Sequence, residues 1–192
     1  MEIIVCIKQV PDVQEVAIDP ETGVLQRAGV EAKMNPYDLY ALEAALRLKE
    51  RVGGRVRTIT MGPPQAEAVI RESFMMGADA GVLLTDPKFA GADTLATAFT
   101  LSQGIQKMGP FDLILCGMQT TDGDTGQVGP GIAEFLHIPH VAYVGMIDPL
   151  GEGRIGLESD MGDWIGRLET RCPCLLTVTK GVGEPRLPSF RR

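Results

Sequence analysis

Residues 116–130 read Cys-Gly-Met-Gln-Thr-Thr-Asp-Gly-Asp-Thr-Gly-Gln-Val-Gly-Pro, and this stretch decides the fold. An apolar run at residues 111–115 precedes it and is short enough to be a buried parallel strand. Apolar residues spaced along one helical face accompany its end, at Val128, Ile132, Phe135 and Leu136. The pattern therefore predicts a strand that ends in this loop and a helix that begins after it.

The composition of the loop is typical of a turn that binds phosphate. Its four glycines and three threonines allow several backbone N–H groups to point outward beside a helix N-terminus, whose dipole favours an anion. The predicted nucleotide-binding loop consists of Gly117, Met118, Gln119, Thr120, Thr121, Asp122, Gly123, Asp124, Thr125, Gly126, Gln127 and Val128. The loop matches neither a Walker A motif nor a Gly-x-Gly-x-x-Gly fingerprint.

Two features of the loop leave its role open. Glycine-rich strand-to-helix turns also occur for purely steric reasons, and each glycine inside the following helix costs about 1 kcal/mol relative to alanine. Close approach of either a ligand or another backbone would explain that cost. Asp122 and Asp124 would repel a phosphate, so we expect them to cap the helix, hold a ribose hydroxyl or lie outside the phosphate path.

The overall composition indicates a globular protein without a nucleic-acid or membrane role. The 192 residues are enough for one domain with a sizeable core, and 44% of them are hydrophobic. The formal charge of −7 and the scattered Lys and Arg residues argue against a nucleic-acid surface. No apolar run approaches the ~20 residues of a membrane helix and no signal segment is recognisable, so we expect a cytoplasmic location.

The cysteines and histidines do not form a recognisable metal or redox motif. Cys6 and Cys116 lie in strand-like segments, where a free cysteine packs as a small hydrophobe. Cys172 and Cys174 are separated by one residue, whereas zinc and redox motifs use two. The two histidines flank Pro139, which disfavours the helical turn that would bring them together. We expect no metal site.

Strand-like and helix-like segments alternate upstream of the loop. The strands are indicated at residues 2–8, 55–61 and 80–84, and the helices at residues 36–49, 66–75 and 94–108. Asn35 is a natural N-cap and Pro36 a natural first residue of the first helix. The order predicts a Rossmann-like α/β fold, in which helices cover both faces of a parallel sheet. Ligands bind beyond the carboxyl ends of such strands, where Cys6, Met61 and Gly117 lie.

Two segments depart from this alternation. Residues 16–19 and 23–26 predict a small hairpin, and strand-like pieces at residues 141–147 and 174–180 around an acidic, glycine-rich stretch predict an antiparallel extension. We interpret the proline-containing tail as a frayed terminus or as a peptide that docks a partner. The predicted divisions are a nucleotide-binding core at residues 1–147, the extension at residues 148–183 and the tail at residues 184–192.

Several blocks of the sequence together resemble the beta subunit of electron transfer flavoproteins. The blocks are Ile7-Lys8-Gln9-Val10-Pro11-Asp12, Met34-Asn35-Pro36-Tyr37-Asp38, Ala41-Leu42-Glu43-Ala44-Ala45, Met61-Gly62-Pro63, Met76-Gly77-Ala78-Asp79, the loop at residues 116–130, Thr177-Val178-Thr179-Lys180 and Glu184-Pro185-Arg186. The resemblance covers almost the whole chain in register, and its motifs are specific in combination.

The resemblance implies an electron carrier that pairs with an alpha subunit and exchanges single electrons with dehydrogenases or a quinone reductase. In that family the beta subunit holds structural AMP or, in the electron-bifurcating type, a second FAD that accepts a hydride from NADH. The family's nucleotide positions match this chain at Cys6, Asn35, Pro36, Tyr37, Asp38, Met61 and residues 117–128. No side chain needs to act as acid, base or nucleophile, so we predict no catalytic residue.

Two local patterns favour FAD over AMP. From Thr120 the loop reads Thr-Thr-Asp-Gly-Asp-Thr-Gly-Gln, which resembles the flavin-binding type. Asp93, Thr94 and Thr97 resemble the segment that contacts the second flavin, and the two threonines lie three residues apart on one helical face. A purely structural role, in which Asp93 or Thr94 caps the helix, is the alternative for this segment. We therefore expect FAD, with AMP as the alternative cofactor.

The tail departs from the family pattern. Family beta subunits usually continue well beyond the block at residues 185–189, so we interpret this chain as truncated or as a shortened relative. In the family this region begins a loop that docks partner dehydrogenases through a leucine; Phe190 occupies that place here, near Leu187. Two rival classes are a stand-alone ATP-binding regulator similar to universal stress proteins and a scaffold subunit whose loop packs only against protein.

Overall fold

The computed structural model describes residues 1–12, 17–18, 25–26 and 32–189, and in it helices and strands alternate from residue 36 to residue 136. The strands are β1 (Glu2–Cys6), β2 (Gln9–Pro11), β3 (Ala17–Ile18), β4 (Leu25–Gln26), β5 (Ala32–Met34), β6 (Arg55–Met61), β7 (Ala80–Leu84), β8 (Leu113–Gly117), β9 (His140–Gly151), β10 (Arg154–Asp160), β11 (Ile165–Arg171) and β12 (Cys174–Val178). The helices are α1 (Pro36–Val52), α2 (Glu67–Met76), α3 (Thr94–Lys107) and α4 (Val128–Leu136). The predicted helices are thus present close to their predicted bounds.

One sheet of eight strands organises the fold, in the order β11-β10-β9-β12-β8-β1-β6-β7. Pairing is parallel from β9 through β12, β8, β1 and β6 to β7, and antiparallel among β9, β10 and β11. The predicted α/β fold, a parallel sheet with an antiparallel extension, is confirmed. The short strands β3 and β4 pair with each other where the hairpin is predicted, and the turn between them lies outside the described residues.

Strand β12 corrects one detail of the prediction. The sequence places residues 174–180 in the antiparallel extension, but β12 returns to the middle of the sheet and runs parallel to both β8 and β9. All five residues of β12 are buried, as is typical of a parallel strand covered on both faces. Strands β9, β10 and β11 form the extension, and β10 lies within the acidic stretch between the two strand-like pieces.

Successive residues of the central strands enter two separate hydrophobic cores, because side chains alternate between the faces of a strand. Leu113 and Leu115 of β8 pack in the core formed with α1 and α2. Ile114 and Cys116 pack in the core formed with α3 and α4. Helices therefore cover both faces of the sheet, as predicted. Within the described ranges, no helix has the length and apolar character needed to cross a membrane.

Candidate functional site

A cavity of about 410 Å³ opens at the carboxyl ends of β1, β6 and β8. Ligand sites of parallel α/β sheets lie at this edge, and the volume is typical of a small-molecule site. The predicted residues that line it are Cys6, Asp38, Met61, Asp93, Thr94, Thr97, Gly117, Met118, Gln119, Thr120, Gly123, Thr125, Gly126, Gln127 and Val128. The sequence missed the other lining residues, which are Ile7, Lys8, Phe89, Gly91, Ala92, Leu101, Cys116 and Gly129.

An apolar surface forms the inner end of the cavity. Cys6 and Cys116 are opposite each other in the register of β1 and β8, and both side chains are buried. A hydrogen bond with Cys6, together with burial, raises the pKa of the Cys116 thiol well above its ordinary value. Met61 and Leu101 also line the cavity. This neutral surface suits an apolar ring rather than a charged group.

The side chain of Asn35 hydrogen-bonds the backbone of the loop but does not line the cavity. Its side-chain Nδ2 donates to the backbone oxygen of Gln119 at 2.9 Å, and its Oδ1 accepts from the N–H of Thr121 at 3.3 Å. The predicted N-cap position is correct, but the side chain makes no cap hydrogen bond. The reason is that both polar atoms of this fully buried amide are used by the loop. Pro36 and Tyr37 form the first turn of α1 and also lie outside the cavity lining.

Asp38 joins the start of α1 to the ends of two strands. Its carboxylate accepts from the N–H of Lys8 at 2.8 Å and from the N–H of Gly117 at 3.2 Å. Burial raises the pKa of this carboxyl from its ordinary value of 3.8 to about 7, against the hydrogen bonds from Asn35, Lys8 and Gly117, which lower it. Asp38 therefore fixes the entry of the loop and remains titratable near neutral pH.

Lys8 is a site residue that the sequence prediction missed. Its Nζ donates to both carboxylate oxygens of Asp122, at 2.8 and 2.7 Å, and the lysine lines the cavity whereas the aspartate does not. Burial acts to raise the pKa of Asp122, but hydrogen bonds from Lys8 and Thr120 lower it overall. The available signal was the position of a lysine directly after the first buried strand, at a sheet edge where ligands bind.

Asp124 also lies outside the cavity lining. Its side chain accepts a hydrogen bond from Nε2 of Gln119, and its own N–H donates to the backbone oxygen of Thr120 at 2.9 Å. Its φ of +53° places it in the left-handed region, which aspartate tolerates better than most residues. Both loop aspartates are thus occupied by other side chains of the protein. Their three expected roles, which are to cap the helix, to hold a ribose hydroxyl or to lie outside the phosphate path, stay predictions.

The start of α3 forms the opposite wall of the cavity. The N–H of Ala96 donates to Oδ1 of Asp93 at 2.8 Å, so Asp93 is the N-cap of this helix. The hydroxyl of Thr94 donates to Oε1 of Gln127 at 3.1 Å and links the helix to the loop. Thr97 follows one turn later and lines the cavity. The structure therefore brings both predicted segments, the loop and the α3 start, around one cavity.

The glycines of α4 are explained by contacts within the protein. A Cβ on Gly129 would lie 2.6 Å from Cγ2 of Thr177, and one on Gly131 would lie 2.8 Å from Cβ of Ala98. These glycines allow α4 to approach β12 and α3 closely. Gly123 is different, because the nearest atom to its Cβ would be Oγ1 of Thr120 at 3.4 Å. A Cβ at Gly123 would thus make only an ordinary van der Waals contact.

The tail is attached to α1 and α2 as far as residue 189. Arg186 donates through Nε to Glu43 at 2.7 Å and through Nη1 to Glu50 at 2.6 Å. The N–H of Ser189 donates to the backbone oxygen of Met75 at 3.0 Å. Between these attachments Leu187 is 87% exposed. The tail is therefore not frayed over residues 184–189, whereas Phe190 lies outside the described residues.

The fold and the cavity define a class of protein: an α/β protein with a ligand cavity at the carboxyl edge of a parallel sheet. The family model for the electron transfer flavoprotein domain matches residues 22–191. By this match and by the relatives described next, the chain belongs to the electron transfer flavoprotein family and is a member of its beta subunits. The resemblance predicted from the sequence is confirmed, and the membership supports a role in electron transfer.

Three relatives illustrate the similarity. The electron transfer flavoprotein subunit beta of Thermoanaerobacterium thermosaccharolyticum is 51% identical over 191 residues, covering 100% of this chain and 73% of the relative. Protein FixA of Azotobacter vinelandii is 47% identical, covering 97% of this chain and 68% of the relative. The caffeyl-CoA reductase-Etf complex subunit CarD of Acetobacterium woodii is 48% identical, covering 98% of this chain and 72% of the relative. Each of these matches covers at least 97% of this chain.

Proposed function

We propose that the cavity holds FAD and that the chain works as the beta subunit of a heterodimeric electron transfer flavoprotein. In this proposal an alpha subunit is the direct partner, NADH is the electron donor of the bifurcating type, and dehydrogenases or a quinone reductase are the other electron partners. The observation that carries the proposal is the meeting of the glycine-rich loop and the α3 start around one cavity in a flavoprotein-family chain. Neither segment alone would suggest a dinucleotide.

The loop residues fit the phosphate part of an adenine nucleotide. No acceptor among the described residues is bound to the backbone N–H groups of Thr125, Gly126 and Gln127, which precede the N-terminus of α4. Donors in this position, together with the helix dipole, favour an anion. Gly126 has a φ of +63°, a conformation that glycine adopts without strain and that turns the chain into the helix. Gly123 leaves space for a ligand to approach the backbone.

The apolar inner surface fits the ring of a nucleotide. Cys6, Met61, Leu101 and Cys116 supply apolar and sulfur atoms without an ionised group, since the thiol pKa of Cys116 is raised. AMP and FAD share the adenylate part, so this surface and the loop would hold either cofactor. When bound, FAD supplies the hydride and single-electron chemistry, and the residues of this chain bind and orient it.

The α3 start favours FAD. Thr94 and Thr97 line the cavity beside the loop, and their hydroxyl groups add to the polar groups that the loop itself provides. Leu95 and Phe99 of the same helix are 65% and 50% exposed. Exposed apolar residues beside a cofactor site are typical of a surface that a partner covers. AMP is the second candidate, because the volume of about 410 Å³ is also suitable for a mononucleotide.

The test is to purify the protein with its alpha partner, release the nucleotides by heat and identify them by mass. Two FAD molecules per heterodimer would support the proposal, and one FAD with one AMP would support the second candidate. Absence of any nucleotide beyond the alpha subunit's own flavin would refute both.

Two variants test the placement of the site. Thr94→Val removes a hydroxyl donor, and Gly123→Val fills the space beside the loop, where a Cβ would meet Oγ1 of Thr120 at an ordinary contact distance of 3.4 Å. We expect each to weaken FAD retention, and the loss of one hydrogen bond of about 1 kcal/mol corresponds to about fivefold for Thr94→Val. Thr100→Val is the matched control, because Thr100 donates to the backbone oxygen of Ala96 on α3 and does not line the cavity. Unchanged flavin occupancy in both site variants would contradict the placement.

A further inference from the structure

The cavity is poor in positive charge. Lys8 is the single Lys or Arg among the described residues that line it, whereas Asp38 and Asp93 contribute carboxyl groups. Asp93 is engaged by the N–H of Ala96, and Asp38 by the N–H groups of Lys8 and Gly117. Within this lining, Lys8 is therefore the cationic side chain that an anionic group of a ligand could contact.

The ammonium group of Lys8 is paired with Asp122. Both carboxylate oxygens of Asp122 accept from Nζ, at 2.8 and 2.7 Å. The lysine and aspartate side chains are 43% and 30% exposed, so water screens the pair and its net contribution is small. An ammonium group carries three rotatable donors on a flexible stem and can exchange one anionic acceptor for another. The pair is therefore readily exchanged.

The position of Asp122 makes it a competitor rather than a second ligand. Its carboxylate belongs to the loop in which the N–H groups of Thr125, Gly126 and Gln127 have no acceptor among the described residues, but Asp122 does not line the cavity. The carboxylate of Asp122 and a ligand phosphate would repel each other if both stayed beside the ammonium group of Lys8. The same lysine is thus within reach of the loop carboxylate and of the cavity.

We propose that Lys8 pairs with a cofactor phosphate and that Asp122 competes with this phosphate for the lysine ammonium group. This inference rests on the proposed adenine-nucleotide function. It makes Lys8 the residue that distinguishes a phosphorylated nucleotide from a nucleoside. It also makes Asp122 a residue that lowers nucleotide affinity, although it lies in the binding loop.

The test compares AMP with adenosine, which lacks the phosphate, in calorimetric titrations of the full chain freed of nucleotide. Lys8→Gln should raise the Kd for AMP about tenfold or more, as expected for loss of a charge-assisted hydrogen bond, and leave the Kd for adenosine unchanged. Asp122→Asn should lower the Kd for AMP several-fold and leave that for adenosine unchanged. The AMP affinity of the wild type should fall with added salt, and that of Lys8→Gln should fall less. Lys88→Gln is the control, since Lys88 is exposed and does not line the cavity.

Three outcomes would overturn the proposal. Equal weakening of AMP and adenosine by Lys8→Gln would mean that the lysine acts on the shape of the loop and not on phosphate. Weakening of AMP by Asp122→Asn would mean that the aspartate positions the lysine instead of competing. Wild-type protein that binds neither compound would overturn the proposed function together with this inference, whereas the first two outcomes leave that function intact. Thermal unfolding of each variant shows whether it is folded.

Discussion

Substitution of Gly117 by alanine tests how the loop is fixed to the rest of the fold. Gly117 is the last residue of β8, and its N–H donates to Asp38 at 3.2 Å. A Cβ at this position would lie 2.5 Å from Oδ1 of Asp38 and 2.7 Å from both the backbone carbon and Cβ of Tyr37. The atoms of Tyr37 belong to the first turn of α1 and cannot rotate away. The strand end and the helix start must therefore separate.

The cost can be estimated from two effects. Overpacking of a tight contact costs about 1–3 kcal/mol, and loss of the Gly117–Asp38 hydrogen bond costs about 1 kcal/mol. The sum of about 2–4 kcal/mol corresponds to a decrease in Tm of about 4–16 °C for a chain of this length. Gly123→Ala is the matched control, because its Cβ would meet only Oγ1 of Thr120 at 3.4 Å. Its effect on the free energy of unfolding should stay within about 0.5 kcal/mol.

Urea unfolding followed by circular dichroism measures both variants against the wild type. We expect Gly117→Ala to unfold at clearly lower urea and Gly123→Ala at nearly the same urea as the wild type. Equal unfolding midpoints for the two variants would show that the loop entry is free to move relative to α1. The account of Asp38 and Tyr37 as the support of the loop would then be wrong.

Two further predictions concern titration and the tail. Burial holds the pKa of Asp38 at about 7 in the folded state, whereas its ordinary value is 3.8. Between these two pH values the folded state therefore binds one proton more than the unfolded state. The free energy of unfolding should then fall as pH rises through this window. Between about pH 5 and about pH 6.5, the free energy of unfolding of the wild type should fall by about 2 kcal/mol more than that of Asp38→Asn, as measured by urea unfolding at each pH. Parallel pH profiles for the two proteins would contradict this reasoning. Arg186→Ala removes one of the two arginine partners of buried Glu43, the other being Arg47, and should cost about 2 kcal/mol of stability by the same assay. Protease cleavage within residues 184–189 should become faster. A variant as stable and as resistant to protease as the wild type would show that the tail is not held by Arg186.

The helices and parallel strands of the core could be predicted from the sequence because their signals are local. The cap position and proline at residues 35–36 and the glycines at residues 53–54 mark the bounds of α1, and the apolar run before residue 116 marks β8. The place of β12 could not be predicted in the same way. Its uniformly apolar residues indicate burial on both faces, but a periodicity does not say which strands will be its neighbours.

The candidate site was predictable to the level of segments and not of individual contacts. The loop is recognisable by its composition and the residues from Asp93 to Thr97 by their resemblance to the family, and the structure places both around one cavity. Asn35 was expected to cap α1, but its amide is used by the loop, more than 80 residues along the chain. Lys8 was missed for a similar reason. Its partner Asp122 lies in a distant segment, and the sequence holds no pattern that links the two.

The central position of β12 has a consequence for biosynthesis. The strand that carries the loop, β8, is bordered by β1 near the start of the chain and by β12 at residues 174–178, and the N–H of Met118 donates to the backbone oxygen of Val178 at 3.0 Å. A nascent chain that has not yet emerged beyond residue 178 therefore lacks one neighbour of the strand that carries the loop. Pairing between strands that are distant in the sequence forms late, because the long chain segment between them must close before any contact is gained. If the cavity binds a nucleotide as proposed, its capture is an event of the last stage of folding, and the bound nucleotide adds stability only to chains that have completed their sheet.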